Sequence, residues 1–197
     1  SNIDVNVTVG TIFALYKYDN NKIKNGHNIV MAGYCLYGGS TQLILSIDTI
    51  DIYQLDKCSK IFNPIFKNWK IPYKGPYYSI NESNKNIMNK NYMELVDKFI
   101  KDNYSARWIG SLVADAHRTL IKGGFFAYPE NKKNKNGKLR LLYEAYPMAY
   151  IFKFANGYSS NGVSSILDIP FPENIHQKTP LILSSKSEFS VFKIFLN

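Results

Sequence analysis

Cysteines and long apolar runs are scarce in this 197-residue chain, and each scarcity excludes a class of protein. Only Cys35 and Cys58 are present, and neither stands in a CxxC pair or near histidines at metal-binding spacing. This excludes a disulfide framework and a cysteine-based zinc site. The longest apolar stretches, such as residues 43–50 and 163–169, are interrupted by Ser, Asp or Thr. They fall well below the roughly 18 apolar residues of a membrane-spanning helix, so we expect no membrane partner.

Acidic residues are also in deficit. The chain has 15 Asp and Glu against 24 Lys and Arg, which gives a formal charge of +9. Positive charge alone permits binding to nucleic acids, but no basic helix or pattern of stacking aromatics indicates it, and we expect no nucleic-acid partner. The sequence also lacks a P-loop, a Rossmann glycine pattern, a nucleophile elbow and a zinc signature.

The residues that are abundant indicate a folded protein. Hydrophobic residues make up 45% of the chain and aromatic residues 15%, which excludes intrinsic disorder and is enough to bury a core. The length allows one large domain or two closely packed lobes. The chain starts at Ser1 without an initiating Met or a cleavable signal pattern, and we expect it to be a fragment of a longer protein.

The first third of the chain has the period of β-strands. Apolar residues alternate with polar ones over residues 3–9 and a β-rich run follows over 11–16, so that either one long strand or two short strands with a bend at Gly10 are expected. Residues 27–36 and 41–53 are further strand candidates, separated by the turn at Gly38 and Gly39. Together these segments predict an antiparallel meander.

The period changes to that of helices after a proline-containing stretch, residues 64–76, where we place a boundary between two sub-structures. The C-terminal helix is expected to open with a capping box between Ser185 and Glu188. The class is therefore α+β. The predicted elements are helices over 92–99, 108–120, 146–155 and from 186 onwards, and strands over 125–128 and 139–143.

Three cations and one acid are candidates for binding an anionic ligand. Lys138 follows an Asn-Gly turn, Arg140 lies two residues on, and Arg107 stands at the entry to a predicted helix, so they could converge on a phosphate. The alternative is that they are solvated surface residues. Glu144 precedes a helix with proline in its first turn, where it either contributes to a magnesium and phosphate site or favours the helix dipole.

A pair of charged residues on one helix has a simpler explanation. Asp115 and Arg118 are three residues apart, which places them on the same helix face and predicts an ion pair rather than acid–base chemistry. His117, between them, is interpreted as structural.

Three long motifs fall in the second half of the chain, at residues 106–120 (ARWIGSLVADAHRTL), 123–129 (GGFFAYP) and 137–144 (GKLRLLYE). Shorter motifs lie at residues 1–4, 9–13, 32–38, 79–82 and 175–177. In this order they closely resemble the fructose-1,6-bisphosphatase family. The resemblance implies a layered, sugar-phosphatase-like α+β fold of mixed sheets packed with helices. It divides the chain into residues 1–70, from an N-terminal sheet domain, and 71–197, a C-terminal substrate-binding domain.

This family hydrolyses the 1-phosphate of fructose 1,6-bisphosphate to fructose 6-phosphate in gluconeogenesis, and the resemblance implies substrate-binding roles for eight residues. Some match positions that hold the 6-phosphate and the sugar, and others line the sugar pocket or contact a phosphate. None is assigned as catalytic. The eight are Ser1, Asn81, Arg107, Trp108, Gly110, Leu112, Tyr128 and Lys138.

Several of these matches carry further implications. Arg107 corresponds to an arginine that reaches the site of a neighbouring subunit, which implies a homo-oligomer, expected to be a tetramer. Ser1 matches the last serine of the family motif Asp-Pro-Leu-Asp-Gly-Ser-Ser, whose loop cradles the leaving phosphate. Trp108 and Asn84 stand where phosphate-binding tyrosines are usual, which exchanges phenol O–H donors for an indole N–H and an amide.

The resemblance also implies a metal and a regulatory site. Glu144 matches a ligand of the Mg²⁺ or Mn²⁺ ions, and the remaining metal carboxylates are expected upstream of Ser1, so we expect this chain alone to be inactive. Lys17 falls where the family often has an arginine that contacts the inhibitor AMP; its charge is kept but the planar fork is lost. We expect a cytoplasmic location.

Two alternatives remain open at this point. One is a sedoheptulose bisphosphatase or another sugar phosphatase with the same fold. The other is a noncatalytic relative that binds sugar phosphates, which the exchanged tyrosine positions at Asn84 and Trp108 favour.

Overall fold

A five-stranded antiparallel sheet occupies the first third of the chain, in a computed structural model that describes residues 2–196. Its strand order follows the chain, which confirms the predicted meander. Hydrophobic side chains on one face of this sheet, among them Ala32, Tyr34 and Ile44, belong to the larger of two cores. The strands are β1 (Val9–Tyr16), β2 (Ile29–Tyr37), β3 (Thr41–Ser46), β4 (Ile50–Asp56) and β5 (Ile61–Phe66).

The strand predicted over residues 3–9 is wrong. Residues 2–6 form turns, in which Val7 N–H donates to the Asn2 carbonyl at 2.9 Å and Asn6 has a φ of +57°. Gly10 is not a bend either, because it lies within β1. A Cβ at Gly10 would lie 2.4 Å from the Cys35 carbonyl oxygen, so the absence of a side chain there allows the close approach of β2.

Two further strands differ from the sequence prediction. The apolar run over 41–53 is broken by a turn into β3 and β4, which pair with each other. The proline-containing stretch includes β5, with Pro64 at its centre, paired only to β4 in this sheet. An edge strand tolerates proline because the N–H that proline lacks is not needed for a second neighbour.

The second large sheet is mixed, with strand order β10-β12-β8-β6-β7. Strand β6 runs parallel to β7 and β8, whereas β12 is antiparallel to β8 and β10. Strands β9 and β11 form a separate two-stranded pair. The strands of the second half are β6 (Tyr77–Ser79), β7 (Ser105–Ala106), β8 (Phe125–Tyr128), β9 (Leu139–Arg140), β10 (Tyr158–Ser160), β11 (Lys178–Thr179) and β12 (Leu181–Ser184).

Within the described part of the chain, four α-helices pack on these sheets: α1 (Lys90–Lys101), α2 (Leu112–Lys122), α3 (Tyr146–Phe154) and α4 (Lys186–Leu196). Helices α2 and α3 contact strands of both large sheets, so they lie between them. Helices α1 and α4 contact each other and share the second core with β6, β8 and β12. The order of layers is therefore sheet, helices, sheet, helices, which confirms the layered α+β class.

The start of one helix and the cap of another were predicted incorrectly, whereas α4 begins at Lys186 as predicted. Helix α2 begins at Leu112 and not at residue 108, because Gly110 has a φ of +82°, outside the helical region. The capping box predicted for α4 is also replaced by another arrangement. Ser185 Oγ accepts the Gly124 N–H at 3.1 Å and Ser185 N–H donates to the Gly124 carbonyl, so both groups that the box would use are engaged elsewhere. Glu188 instead accepts from Gly75 N–H and the Tyr104 hydroxyl.

Residues 2–70 have no separate core of their own, because α2 and α3 bury the inner face of the first sheet. The division at residue 70 stays a prediction. Over residues 2–196, the longest and most apolar helices still fall short of what is needed to cross a membrane.

A buried tyrosine–histidine contact joins the first sheet to α2. The Tyr34 hydroxyl and His117 Nδ1 are 2.9 Å apart, and Tyr34 is fully buried. Burial lowers the pKa of His117 from 6.5 to about 4, because a protonated imidazole is poorly solvated there. The structure thus supports the interpretation of His117 as a structural residue that is neutral when folded.

This lowered pKa predicts that the protein loses stability in mild acid. Below pH 6.5 the unfolded chain takes up a proton at His117 that the folded chain takes up only near pH 4. The free energy of unfolding should therefore fall as the pH drops through this window, by up to about 3 kcal/mol. Urea unfolding of wild type and His117→Gln at pH 7.5 and 5.0 measures the difference. Equal pH dependence of the two proteins would contradict the assignment.

Candidate functional site

A pocket of about 290 Å³ opens between the first sheet, the N-terminal end of α2 and strand β8. Five residues that the sequence predicted for substrate or metal binding line it, namely Trp108, Gly110, Leu112, Tyr128 and Glu144. They come from the loop before α2, from α2 itself, from β8 and from the π-helical turn that follows β9. The structure thus gathers residues from distant parts of the sequence at one cavity.

Aromatic rings form one wall of this pocket. Trp108 lies parallel to Phe126, with ring centroids 6.4 Å apart and an angle of 7° between planes. Tyr128 is tilted against Trp108 at 5.8 Å. Trp108 and Tyr128 also line a second, much smaller recess, which Asn81 and Asn84 complete. The aromatic pair therefore stands between two adjoining recesses, with Glu144 in one and Asn81 in the other.

Asn81 is held by its own local turn. It is the N-cap of a 3₁₀ helix over Glu82–Ile87, and its Oδ1 accepts from Ser83 N–H at 3.1 Å and from Ser83 Oγ at 2.6 Å. Because the side-chain oxygen is used in this way, the amide NH₂ is the part of Asn81 that can serve a ligand. That group donates hydrogen bonds only, which suits an anion.

The loop before α2 is held by two charged side chains of that helix, Asp115 and Arg118. Both carboxylate oxygens of Asp115 accept backbone N–H groups of the loop, and Gly110 N–H is 2.9 Å from Oδ2. Arg118 Nη2 lies 2.6 Å from Asp115 Oδ1 and donates to the Arg107 carbonyl at 2.7 Å. The predicted ion pair between Asp115 and Arg118 is confirmed. The sequence prediction did not reveal that it also binds the loop.

The predicted cations do not line the pocket. Arg107 is exposed, its Nη1 donates to the Ala106 carbonyl at 2.8 Å, and its guanidinium lies 5.3 Å from the Tyr77 ring centre. Lys138 is exposed next to Leu139, which does line the pocket. Lys17 is exposed just beyond β1, and its backbone N–H donates to the Asn28 carbonyl at 2.8 Å.

The first residue of the chain cannot be placed, since Ser1 lies outside the described residues. Its neighbour Asn2 lines the pocket and donates from Nδ2 to the Gly110 carbonyl at 3.1 Å. This contact brings the N-terminal residues to the loop that carries Gly110.

Glu144 is positioned by a turn that the sequence did not predict. The strand expected over 139–143 is limited to β9, and Leu141–Ala145 form a π-helical turn instead. Within it, Glu144 Oε2 accepts the Arg140 N–H at 2.6 Å, and Oε1 lies 3.7 Å from Arg140 Nη1. Helix α3 then begins at Tyr146 with Pro147 in its first turn, as predicted. The carboxylate is held at the pocket wall with its side chain 20% exposed.

Glu144 does not form a metal site by itself. Across residues 2–196 there is no group of three or more His, Cys, Asp or Glu side chains that could hold a metal ion. The other acid at this pocket, Asp115, is fully buried and engaged by the loop and Arg118. Glu144 therefore fits a single oxygen ligand of a hard cation such as Mg²⁺, and the described residues do not supply the others.

Sequence reasoning missed several residues of the pocket. Val9, Gly10 and Ile12 line it from β1, and Phe126 supplies the partner of Trp108. The available signal was a glycine within an alternating apolar segment, which often marks a close approach of two backbones. Phe126 gave no separate signal, because an aromatic residue in a buried strand is expected for packing alone.

Comparison of the sequence with known protein families finds matches over both parts of the chain. A family described as "Fructose-1-6-bisphosphatase, C-terminal domain" matches residues 71–197, and one described as "Fructose-1-6-bisphosphatase, N-terminal domain" matches residues 1–62. Every residue described above as lining the pocket falls within one of these two matched segments.

Individual relatives agree with the family match. Class 1 fructose-1,6-bisphosphatase of Sulfurihydrogenibium sp. is 46% identical over 202 residues, covering 100% of this chain and 62% of the relative. The class 1 protein of Persephonella marina is 44% identical, covering 100% of the chain and 63% of the relative. Fructose-1,6-bisphosphatase 1 of Bos taurus is 43% identical, and the match covers 98% of this chain and 60% of the relative. The chain thus spans about three fifths of the length of these curated relatives.

The positive φ of Gly110 predicts a cost for any side chain there. At +82° an alanine is strained, and Gly110→Ala should lower the free energy of unfolding by about 1 to 2 kcal/mol. Gly39→Ala is the matched control, because a Cβ at that exposed turn meets nothing within 4 Å. Urea unfolding at neutral pH compares the two. Equal effects of both substitutions would show that the loop does not require this conformation.

Proposed function

The chain belongs to the fructose-1,6-bisphosphatase family, and from this premise we propose that it supplies the sugar-phosphate-binding part of a fructose-1,6-bisphosphatase. The reaction is hydrolysis of the 1-phosphate of fructose 1,6-bisphosphate to fructose 6-phosphate, a step of gluconeogenesis. The observation that carries the proposal is the convergence of Trp108, Gly110, Leu112, Tyr128 and Glu144 on one pocket.

The two adjoining recesses support an orientation for the substrate. They share Trp108 and Tyr128, and they differ in that Glu144 lines one and Asn81 lines the other. A bisphosphate has an anionic group at each end, and an amide donor suits one end while a metal-binding carboxylate suits the other. We therefore place the sugar against the aromatic pair, the 6-phosphate near Asn81 and the 1-phosphate near Glu144.

This chain's own share of the chemistry is binding and orientation. Tyr128 has a hydroxyl that can donate to a phosphate or accept from a sugar hydroxyl. Lys138 precedes pocket-lining Leu139, and its exposed ammonium group supports a role as the cation that enters the rim when an anion binds. Among residues 2–196 no Lys or Arg lines the pocket, and Lys138, Arg140 and Arg107 each adjoin a lining residue along the chain.

A divalent ion, Mg²⁺ or Mn²⁺, belongs to the proposed activity. It would neutralise phosphate charge and polarise the phosphoryl group. Glu144 would be one of its ligands. The carboxylates that complete the site would come from the part of the family's length that this chain does not span. Residues 2–196 alone do not complete a metal site, so no step of the reaction is assigned to them beyond substrate binding.

Oligomer formation and regulation are further parts of the proposal. Arg107 points its guanidinium along Tyr77 at the surface, outside its own pocket, which supports a contact with the site of a neighbouring subunit in a homotetramer. Lys17 is exposed beyond β1 and supports a role in binding an anionic inhibitor such as AMP. We place the whole protein in the cytoplasm.

A noncatalytic sugar-phosphate-binding relative is the second candidate. Trp108 and Asn84 favour it, because both line the small recess where the resemblance leads us to expect tyrosine hydroxyls. The two candidates share the binding step and differ in the metal-dependent step, so separate experiments decide them.

The binding step is tested by titrating the purified chain with fructose 6-phosphate in a calorimeter. We expect saturable binding, with weaker binding of sedoheptulose 7-phosphate. Lys138→Met should weaken fructose 6-phosphate binding about 10- to 100-fold, since a charge-assisted hydrogen bond is lost. Lys133→Met, at an exposed position in the same loop region, is the matched control and should change little. Absence of binding by the wild-type chain would refute the proposed function.

The metal-dependent step is tested by measuring phosphate release from fructose 1,6-bisphosphate in the presence of Mg²⁺ or Mn²⁺. A concentration of roughly 5 mM is enough to saturate weak carboxylate sites. We expect the isolated chain to release no phosphate above background, because one carboxylate cannot hold the ion in place. Glu144→Gln, purified identically, controls for contaminating phosphatases. Release that depends on metal and is abolished in Glu144→Gln would contradict the expectation.

A further inference from the structure

We propose that Asp115, Arg118 and Ser79 form a buried positioning cluster that fixes the two sides of the pocket relative to each other. The effect of this cluster on ligand binding rests on the proposed sugar-phosphate-binding function. None of the three side chains is assigned a contact with substrate, so they are positioning residues and not catalytic ones. The argument starts from the contacts of Asp115.

The Asp115 carboxylate is the centre of the cluster, and the residue is fully buried. Its Oδ1 accepts from Ser79 Oγ at 3.0 Å and from Arg118 Nη2 at 2.6 Å. Its Oδ2 accepts the N–H groups of Gly110 at 2.9 Å and Ile109 at 3.2 Å. A buried carboxylate is costly unless it is paired and hydrogen-bonded, and this one is satisfied on both oxygens.

Arg118 extends the cluster to the other end of the loop. Its Nη2 donates to the Arg107 carbonyl at 2.7 Å and lies 3.1 Å from Ser79 Oγ, and its side chain is 18% exposed. The loop that carries Trp108 is therefore bound on both sides of that residue, at the Arg107 carbonyl and at the Ile109 and Gly110 N–H groups. All three contacts are made by Nη2, which the planar guanidinium holds in a fixed position relative to the rest of the group.

Ser79 ties the same cluster to the opposite side of the pocket. It is the last residue of β6, pairs with Phe126 of β8, and stands two residues before Asn81. Three chain segments thus meet at one carboxylate: the end of β6 that leads to Asn81, the loop that carries Trp108, and helix α2. The separation between Asn81 and Trp108, which line the same small recess, depends on this cluster.

An ion pair with only a stabilising role would leave the orientation of Trp108 unchanged in the folded protein. A positioning cluster predicts that weakening it releases Trp108 while the fold remains. Fluorescence excited selectively at tryptophan can report this directly, because the chain has two tryptophans and Trp69→Phe leaves Trp108 as the only one. Trp69 packs against Phe66 and donates to the Leu120 carbonyl, away from the residues that line the pocket.

The test compares Arg118→Lys and Ser79→Ala with the parent chain carrying Trp69→Phe. Arg118→Lys keeps the charge and replaces the rigid guanidinium with a flexible ammonium group, whereas Ser79→Ala removes the hydrogen bonds of Ser79 Oγ to Asp115 and from Arg118 and leaves the ion pair. In each folded variant we expect acrylamide quenching of Trp108 to rise about twofold or more, and fructose 6-phosphate binding to weaken about tenfold for Arg118→Lys. Lys98→Met, which removes an ion pair with Asp102 on α1, is the control and should change neither quantity.

The outcomes separate this proposal from the proposed function. The quenching measurement needs no ligand, so a rise in both variants supports the positioning role whether or not the parent binds fructose 6-phosphate. Failure of the parent to bind fructose 6-phosphate contradicts the proposed function and leaves the positioning role unaffected. Unchanged quenching in folded Arg118→Lys and Ser79→Ala overturns the positioning role even if the parent binds the sugar. Should Arg118→Lys fail to fold, the result with Ser79→Ala decides.

Discussion

Helix α2 lies between the two large sheets, and the residue at which it begins determines the composition of the pocket. If the helix began at Trp108, as its apolar period suggests, the ring and the Gly110 backbone would be part of a regular helix. Instead, the Asp115 carboxylate binds the N–H groups of Ile109 and Gly110 from inside the first turn of the helix. The preceding residues are thereby held as an open loop, and the N-terminal end of α2 faces the cavity. A helix N-terminus carries partial positive charge, which suits an anionic ligand.

The parts of the fold that sequence reasoning predicted correctly are those with an uninterrupted period. Tyr92, Leu95, Val96 and Phe99 are buried on α1 at the predicted spacing, and the antiparallel order from β2 to β5 follows from the short turns between these strands. The errors occur where a side chain competes with the local period. Glu144 accepts the Arg140 N–H across a π-helical turn, at a place where a strand was expected. Such long-range or side-chain-to-backbone contacts leave no trace in hydrophobic spacing.

Sequence motifs predicted more of the site residues than hydrophobic period and charge did. The apolar and small residues of the matching motifs, such as Gly110, Leu112 and Tyr128, do meet at one cavity. The exposed cations Arg107, Lys138 and Lys17 lie outside its lining. Long charged side chains remain hydrated unless a counter-charge compensates for their loss of water, so the residue type alone does not place them in a pocket. The role of Asp115 as an anchor also could not be derived, because residue spacing predicts its partner Arg118 but not the loop.

The proline at the centre of β5 has a consequence for the protein in solution. This edge strand exposes Ile61, Ile65 and Phe66, with 59%, 41% and 46% of their surface accessible. An apolar, unpaired edge is a template onto which strands of other molecules can add. Pro64 interrupts the row of N–H donors that an incoming strand would need and so makes continuous edge-to-edge pairing unfavourable. The same residue that is tolerated because the edge is open also protects that edge from aggregation.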